Sequence, residues 1–177
     1  TEKQWSPSLT IEWYPNAQTM VYLSGSRGFK SGGWDAIHVN GDDLSTLEYG
    51  DETIDAFELG LKTTLLEQRL EINATLFHST IDSLQVSQYD GAVGFNVSNA
   101  AQATSQGFEL DSRFAITEQL QAFASLAYLD YSYDKYDEAP CNQPQANAFW
   151  RENDTLEGCS QDLQGCLLYT SPSPRDF

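Results

Sequence analysis

Residues able to do covalent or metal chemistry are sparse in this sequence. Its two histidines, His38 and His78, stand in no HExxH, CxxC or closely spaced His/Cys cluster, so no zinc site is expected. With 26 Asp and Glu, carboxylate pairs arise by chance at every spacing, and neither an acid/base pair nor a Ser/His/Asp set is singled out. Asp42-Asp43 with Asp51-Glu52 supplies the oxygen ligands that Ca²⁺ prefers, but without the DxDxDG order of a calcium loop, and a solvated acidic loop explains them more simply. No catalytic, cofactor-binding or metal-binding residue is therefore expected, and an enzyme is not the leading reading. The remaining candidates are aromatic. Trp34, Tyr89, Phe95, Phe149 and Trp150 lie in long polar stretches, where rings can either contact an incoming ligand or pack within the loops.

Something must position those rings, and composition bounds what it is. A chain of 177 residues with 40% hydrophobic content is long enough for an ordinary domain and is not a disordered composition. A formal net charge of −17 without any Lys/Arg patch argues against nucleic acid as a partner. No apolar run approaches the ~18 to 20 residues of a membrane-spanning helix, and the chain opens without a signal-peptide pattern. A membrane is not thereby excluded, because a barrel strand needs only ~9 to 11 residues of weak alternation.

The alternation is present. Between residues 55 and 65, Phe57, Leu59, Leu61 and Leu65 alternate with Glu58, Gly60, Lys62 and Thr64, the period-two pattern of a half-buried strand. After a short segment at 66–69 the pattern resumes, with Leu70, Ile72, Ala74 and Leu76 against Glu71, Asn73 and Thr75, which predicts a hairpin with one greasy face. Further strands are expected at 8–14, 19–30, 104–116 and 120–133, each ending at a turn or a polar stretch. Val21, Leu23, Gly25, Arg27 and Phe29 share one face of the second strand, and Arg27 is placed to snorkel toward lipid phosphates if that face meets lipid. In the strand at 120–133, Leu120, Ala122, Ala124, Leu126 and Tyr128 compete with Phe123, Ala127 and Leu129, and the first set is favoured for the apolar face. The connections alternate in length. Short turns at 15–18, 66–69 and 117–119 are interleaved with long loops at 31–52, 82–103 and 134–165, with Leu84-Gln85-Val86 as a candidate continuation of the strand before the second loop. A soluble sandwich has no reason to put every short turn at one end, whereas outer-membrane barrels do, and loops this long are usually functional.

Three motifs carry a family resemblance. Phe57-Glu58-Leu59-Gly60-Leu61-Lys62, the upstream Gly28-Phe29-Lys30-Ser31-Gly32-Gly33, and the downstream Asn99-Ala100-Ala101 with Ser105-Gln106-Gly107-Phe108-Glu109 resemble, in order, segments of TonB-dependent outer-membrane receptors. The resemblance spans residues 5–165. It implies an all-β fold, part of an antiparallel up-and-down transmembrane β-barrel of about six strands, with short periplasmic turns and long extracellular loops. Phe57, Leu59, Leu61, Ile72, Leu76, Phe108, Leu110 and Phe114 would then face lipid, and Glu58, Lys62, Asn73, Glu109 and Arg113 a watery lumen. His78 is expected at the membrane interface beside aromatics such as Tyr128. In a bacterial outer membrane the sequons at Asn73, Asn96 and Asn153 read as chance matches.

Residues 166–177, which begin Cys166-Leu167-Leu168-Tyr169-Thr170-Ser171, share neither the alternation nor the acidity of the rest and resemble a translated sequencing adapter. They are set aside as a non-native tail, leaving 1–165 as barrel. Two cysteines remain, Cys141 and Cys159, both in the last loop. An even count facing an oxidising compartment favours a disulfide, and the family often carries a pair there; two free thiols is the alternative.

The resemblance implies a receptor in the outer membrane of a Gram-negative bacterium that takes up a scarce nutrient, with an iron–siderophore complex as the expected cargo. Its partners would be membrane lipid and lipopolysaccharide, a plug domain and the TonB complex, both reached through segments outside this chain, and the small-molecule substrate. Two other classes stay open: a soluble all-β binding or adhesion module, which would need no detergent, and an outer-membrane barrel enzyme, which would need a Ser or His pair on one barrel face.

Overall fold

A run that alternates apolar and polar side chains satisfies its backbone groups only by pairing edge to edge with similar runs. In the computed structural model, which describes residues 3–34, 48–89, 95–156 and 158–168, these runs form one six-stranded antiparallel sheet. The strands in chain order are β1 Ser8–Asn16, β2 Thr19–Lys30, β3 Gly33–Trp34, β4 Glu48–Tyr49, β5 Glu52–Leu65, β6 Leu70–Tyr89, β7 Phe95–Ala115, β8 Gln121–Lys135, β9 Ala139–Pro140 and β10 Ser160–Gln161, and a helix, α1, spans Gln143–Asn153. The main sheet runs β1-β2-β5-β6-β7-β8, so each long strand pairs with the next long strand of the chain, while β3-β4 and β9-β10 are two-stranded additions. This is the meander that the alternation and the turn spacing predict.

Register turns the alternation into two continuous faces. One row of cross-strand partners reads Ile11, Leu23, Leu59, Leu76, Phe108 and Tyr128; the next reads Trp13, Val21, Leu61, Ala74, Leu110 and Leu126. Ala122, Leu126 and Tyr128 oppose Phe114, Leu110 and Phe108, which settles the face of β8 in favour of the first set. Phe123 and Leu129 oppose Arg113 and Gly107 on the other face. The apolar face extends from Leu65 up to Phe57, about 26 Å along the strand at ~3.3 Å per residue, which a tilt of ~40° would shorten to about 20 Å of height, a little under the ~25 Å band of outer-membrane barrels. Among the described residues no second layer covers it: Leu59 is 47% and Leu76 56% exposed.

Several expectations need correction. The stretch 82–103 is not a loop. β6 continues to Tyr89 and β7 starts at Phe95, so the two strands project as a long hairpin beyond the apolar band. Both faces of that extension are polar or packed against loops, so pairing persists after the alternation has ended. The stretch 31–52 contains β3, β4 and the start of β5, and 134–165 contains β9, α1 and β10. Arg27 does not reach out alone. Its Nε donates to Asp55 Oδ1 at 2.7 Å and its second guanidinium nitrogen to Oδ2 at 2.5 Å, a bidentate pair with its cross-strand partner just above the band. His38, Asp42 and Asp43 lie outside the described residues, as does the tail from residue 169 on. Residues 166–168 run beside β8, with Leu167 opposite Ser132 and Leu168 N donating to Tyr131 O at 2.6 Å.

At the short-turn end, Leu66, Glu67 and Gln68 all adopt left-handed backbone, with φ of 53°, 57° and 69°. Each such non-glycine residue is unfavourable, and the turn is held from outside. Arg69 donates from Nε to Ala115 O at 3.0 Å and from its guanidinium to Ile116 O, while Ala115 N donates to Arg69 O at 2.8 Å. One arginine thus ties two neighbouring turns together.

Two glycines on the polar face face aromatic cross-strand partners. Gly60 lies opposite Tyr22, and Gly107 opposite Phe77. A Cβ on Gly60 would stand 1.9 Å from the Tyr22 ring, which can swing away; on Gly107 it would stand 2.0 Å from the backbone oxygen of Tyr128, which cannot. Gly107→Ala is therefore expected to destabilise the full-length protein by ~1 to 3 kcal/mol as an overpacking change, and Gly60→Ala by less, with Tyr22→Ala relieving the clash. Urea titration of Gly107→Ala, Gly60→Ala and the Gly60→Ala, Tyr22→Ala double variant would read this; a Gly107→Ala protein as stable as the parent would contradict it.

Candidate functional site

The long-loop end of the sheet is where chain segments distant in sequence meet. Gly32 and Gly33 follow β2, and a Cβ on them would fall 2.3 Å from Tyr49 O and 2.6 Å from the Tyr49 hydroxyl, respectively. The paired glycines therefore let β3 lie directly on β4, where Gly33 opposes Tyr49. At the same level the β6–β7 hairpin carries irregular register between Ile81 and Gln85, with Ser83 left-handed at φ 56°. Such a bulge re-aims the next side chains. The side-chain amide of Gln85 donates to Ser31 O at 3.1 Å and to Gly50 O at 3.0 Å, and its backbone N donates to Glu52 Oε2 at 2.8 Å. Asn99, its cross-strand partner, donates from Nδ2 to Gly50 O at 3.0 Å and Ser83 O at 2.8 Å, and accepts from Gly50 N at 2.6 Å. Asn99 of the 99–101 motif, and through Gln85 also Ser31 of the 28–33 motif, are thereby tied to the backbone of Gly50.

The last loop folds down on the same hairpin. Ala101, Tyr136 and Ala139 are buried together, with Leu84, Val86, Ala100, Tyr133 and Leu163 against them, a small core that stands outside the apolar band. Burial raises the Tyr133 phenol above its usual range, and Tyr136 and Tyr131 beside it add to the shift. Above it, Cys141 and Cys159 are disulfide-bonded, with Cα atoms 5.7 Å apart, and β9 pairs with β10 just outside them. The bridge encloses α1. Asn142 caps the helix reciprocally with Gln145: its side chain accepts from Gln145 N, and Gln145 Oε1 accepts from Asn142 N, both at 3.0 Å. Arg151 in the last turn faces the negative end of the helix dipole, and Asp154 closes the helix in left-handed backbone.

Of the aromatic candidates, Trp34 on β3 is 63% and Trp150 on α1 53% exposed, while Phe149 is half-buried. Tyr89 and Phe95 pair across the tip of the β6–β7 hairpin. The five lie on β3, on the two strands of the β6–β7 hairpin and on α1, at the long-loop end of the sheet. His78 falls in the boundary row with Phe57, Gln106 and Asp130, its Nδ1 3.3 Å from Gln106 Oε1. Tyr128 lies one row below. Among the described residues no cluster of three or more His, Cys, Asp or Glu is placed to hold a metal ion. Sequence reasoning missed Gln85 as a functional candidate and left Asn99 as a motif letter; the Asn-Ala-Ala string was the available signal.

On the opposite, polar face, Lys62 Nζ stands 5.9 Å from the Tyr22 ring centroid and Ser125 donates to Asp111 at 2.6 Å. The arrangement offers a wall with one greasy and one hydrated side, topped by cross-braced loops bearing exposed rings.

Comparison with known proteins finds the same architecture. Residues 1–156 match the family model described as TonB dependent receptor-like, beta-barrel. The metal-pseudopaline receptor CntO of Pseudomonas aeruginosa is 26% identical over 135 residues, covering 76% of this chain and 18% of the receptor. The chain thus spans under a fifth of this curated relative. Among solved structures, the ferric yersiniabactin uptake receptor FyuA of Yersinia pestis superposes with a TM-score of 0.59 at 17% identity, over 71% of this chain and 18% of that one. The siderophore receptor PiuA of Acinetobacter baumannii gives 0.57 at 21% identity, over 77% and 19%.

Proposed function

This chain belongs to the TonB-dependent receptor-like β-barrel family, and from that premise we propose that it is a segment of an outer-membrane receptor that imports an iron–siderophore complex by TonB-dependent active transport. The family is one of transport receptors of the bacterial outer membrane, and the relatives named above are receptors for siderophores or metal complexes. The observation that carries the reading is the sheet itself: a sequential antiparallel meander, one predominantly apolar face, every short turn at one end and every long connection at the other. In this reading the apolar face meets acyl chains and, at its upper rim, lipopolysaccharide. The Glu58, Lys62, Glu109 and Arg113 face meets the plug domain, and TonB engages a segment outside this chain. Trp34, Tyr89, Phe95, Phe149 and Trp150 are the ring contacts for cargo at the loop end. The cargo assignment rests on the relatives.

The test is uptake of radiolabelled iron by cells whose only such receptor is the full-length protein. Iron would be supplied in turn on a hydroxamate, a catecholate and a carboxylate chelator, with TonB present or deleted. Accumulation from one class, abolished without TonB, is expected. Accumulation from none would remove the iron–siderophore assignment, and uptake that persists without TonB would remove the transport mechanism.

A further inference from the structure

We propose that Gln85 and Asn99 are positioning residues, a clasp of two side-chain amides that locks the β3–β4 hairpin to the β6–β7 hairpin so that the two move as one body. Asn99 pairs with the Gly50 backbone in both directions, as a residue on a neighbouring strand would, accepting from its N–H at 2.6 Å and donating to its carbonyl at 3.0 Å. Gln85 donates to that same carbonyl at 3.0 Å and reaches Ser31 O at 3.1 Å. The segment that leaves β2 at Ser31 and re-enters the sheet through Gly50 is thus gripped at both ends from one hairpin. A third tie, Gln85 N to Glu52 Oε2 at 2.8 Å, fixes the first residue of β5.

Only amides suit these positions. Both side chains are aimed at carbonyl oxygens and must donate, yet Asn99 must also accept, so a carboxylate of the same shape would set negative oxygen against Gly50 O and Ser83 O. The bulge at Ser83 is what brings the two amides to one level. For cargo capture, a consequence that rests on the receptor reading above, the clasp holds Trp34 at a fixed place relative to the hairpin whose tip carries Tyr89 and Phe95.

The clasp can be read without any cargo, so its fate is separable from that of the uptake assay. Hydrogen exchange would be followed in the full-length protein in lipid nanodiscs for peptides covering 28–34 and 48–53, with rates corrected for intrinsic pH dependence. Asn99→Asp is expected to speed exchange in both peptides about tenfold at pH 7, as hydrogen bonds are lost. Protection should return as the pH falls and the introduced carboxyl gains a proton to donate. Asn99→Leu should be open at every pH, and exchange in β5 and β7 within the band should be unchanged in both variants. Parental exchange in both variants would overturn the proposal. So would identical, pH-independent deprotection in both, which would mean that the side chain merely fills space.

Discussion

Arginine at Leu110 should destabilise the full-length receptor by ~2 to 4 kcal/mol, the cost of a long cation on the lipid face at the bilayer midplane. Leu110 sits in the middle row of the apolar face, between Ala74 on β6 and Leu126 on β8, with the Leu76/Phe108 row above it and the Ile72/Ser112 and Leu70/Phe114 rows below. Its guanidinium would have to reach past the whole Leu76/Phe108 row to the polar boundary at His78 and Gln106. Leu59, one row nearer that boundary, should cost somewhat less on the same substitution. Glu58→Arg lies on the opposite face, across from Phe77 and Ser24, and should be mild. Equilibrium unfolding in urea from phospholipid vesicles would order the three variants. A Leu110→Arg cost no greater than that of Glu58→Arg would mean that the two faces see the same solvent.

The second large effect is expected at the bridge. Breaking Cys141–Cys159, which closes a sequence separation of 18, should release about 3 kcal/mol of loop stabilisation by the chain-entropy account. The loss should be local. β9, α1 and β10 lie around the bridge, whereas the main sheet is held by its own ladders. Cys141→Ser with Cys159→Ser should therefore open residues 139–161 to proteolysis while the barrel's unfolding midpoint hardly moves. Peptide mapping of the non-reduced native protein should recover the two cysteines linked; finding both as free thiols would remove the bridge from the account.

Strand identity was legible where the two faces of a strand meet different surroundings. Along 57–65 and 70–76 the alternate residues are mostly apolar, Phe57, Leu59, Leu61 and Leu65 and then Leu70, Ile72, Ala74 and Leu76, and β5 and β6 pair there without a slip from Leu65 opposite Leu70 to Thr53 opposite Asp82. The ambiguous run at 120–133 could not be decided from itself, because Phe123 and Leu129 are as apolar as Leu126. Pairing decided it, since β8 takes its register from Phe108, Leu110 and Phe114.

Illegibility began where that asymmetry ended. Above Ile81 the β6 strand carries Ser83, Gln85 and Ser87, and β7 opposes it with Asn96, Ser98 and Asn99, a composition that reads as loop although the backbone ladder runs on to Tyr89 opposite Phe95. The helix was written in Asn142-Gln143-Pro144-Gln145, a capping box with proline in the first turn. A single capped helix of this length is marginal by propensity alone, and its enclosure by the disulfide and the β9–β10 pair was not visible from spacing. The clasp was hidden for a similar reason. Gln85 and Asn99 act on backbone groups, and neither the glycine at 50 nor the main-chain carbonyl of Ser31 leaves a mark of the contact in the sequence.

The central claim, that one face of this sheet meets lipid and the other water, is tested most directly by nitroxide labels placed one at a time at residues 57 through 62 of the full-length receptor in bilayers. Labels at 57, 59 and 61 should be relaxed by lipid-soluble oxygen, and those at 58, 60 and 62 by a water-soluble nickel chelate, in strict alternation. Protection of the odd positions from both reagents, as a covering second sheet in a soluble sandwich would give, would contradict the barrel, the outer-membrane location and the transport function together.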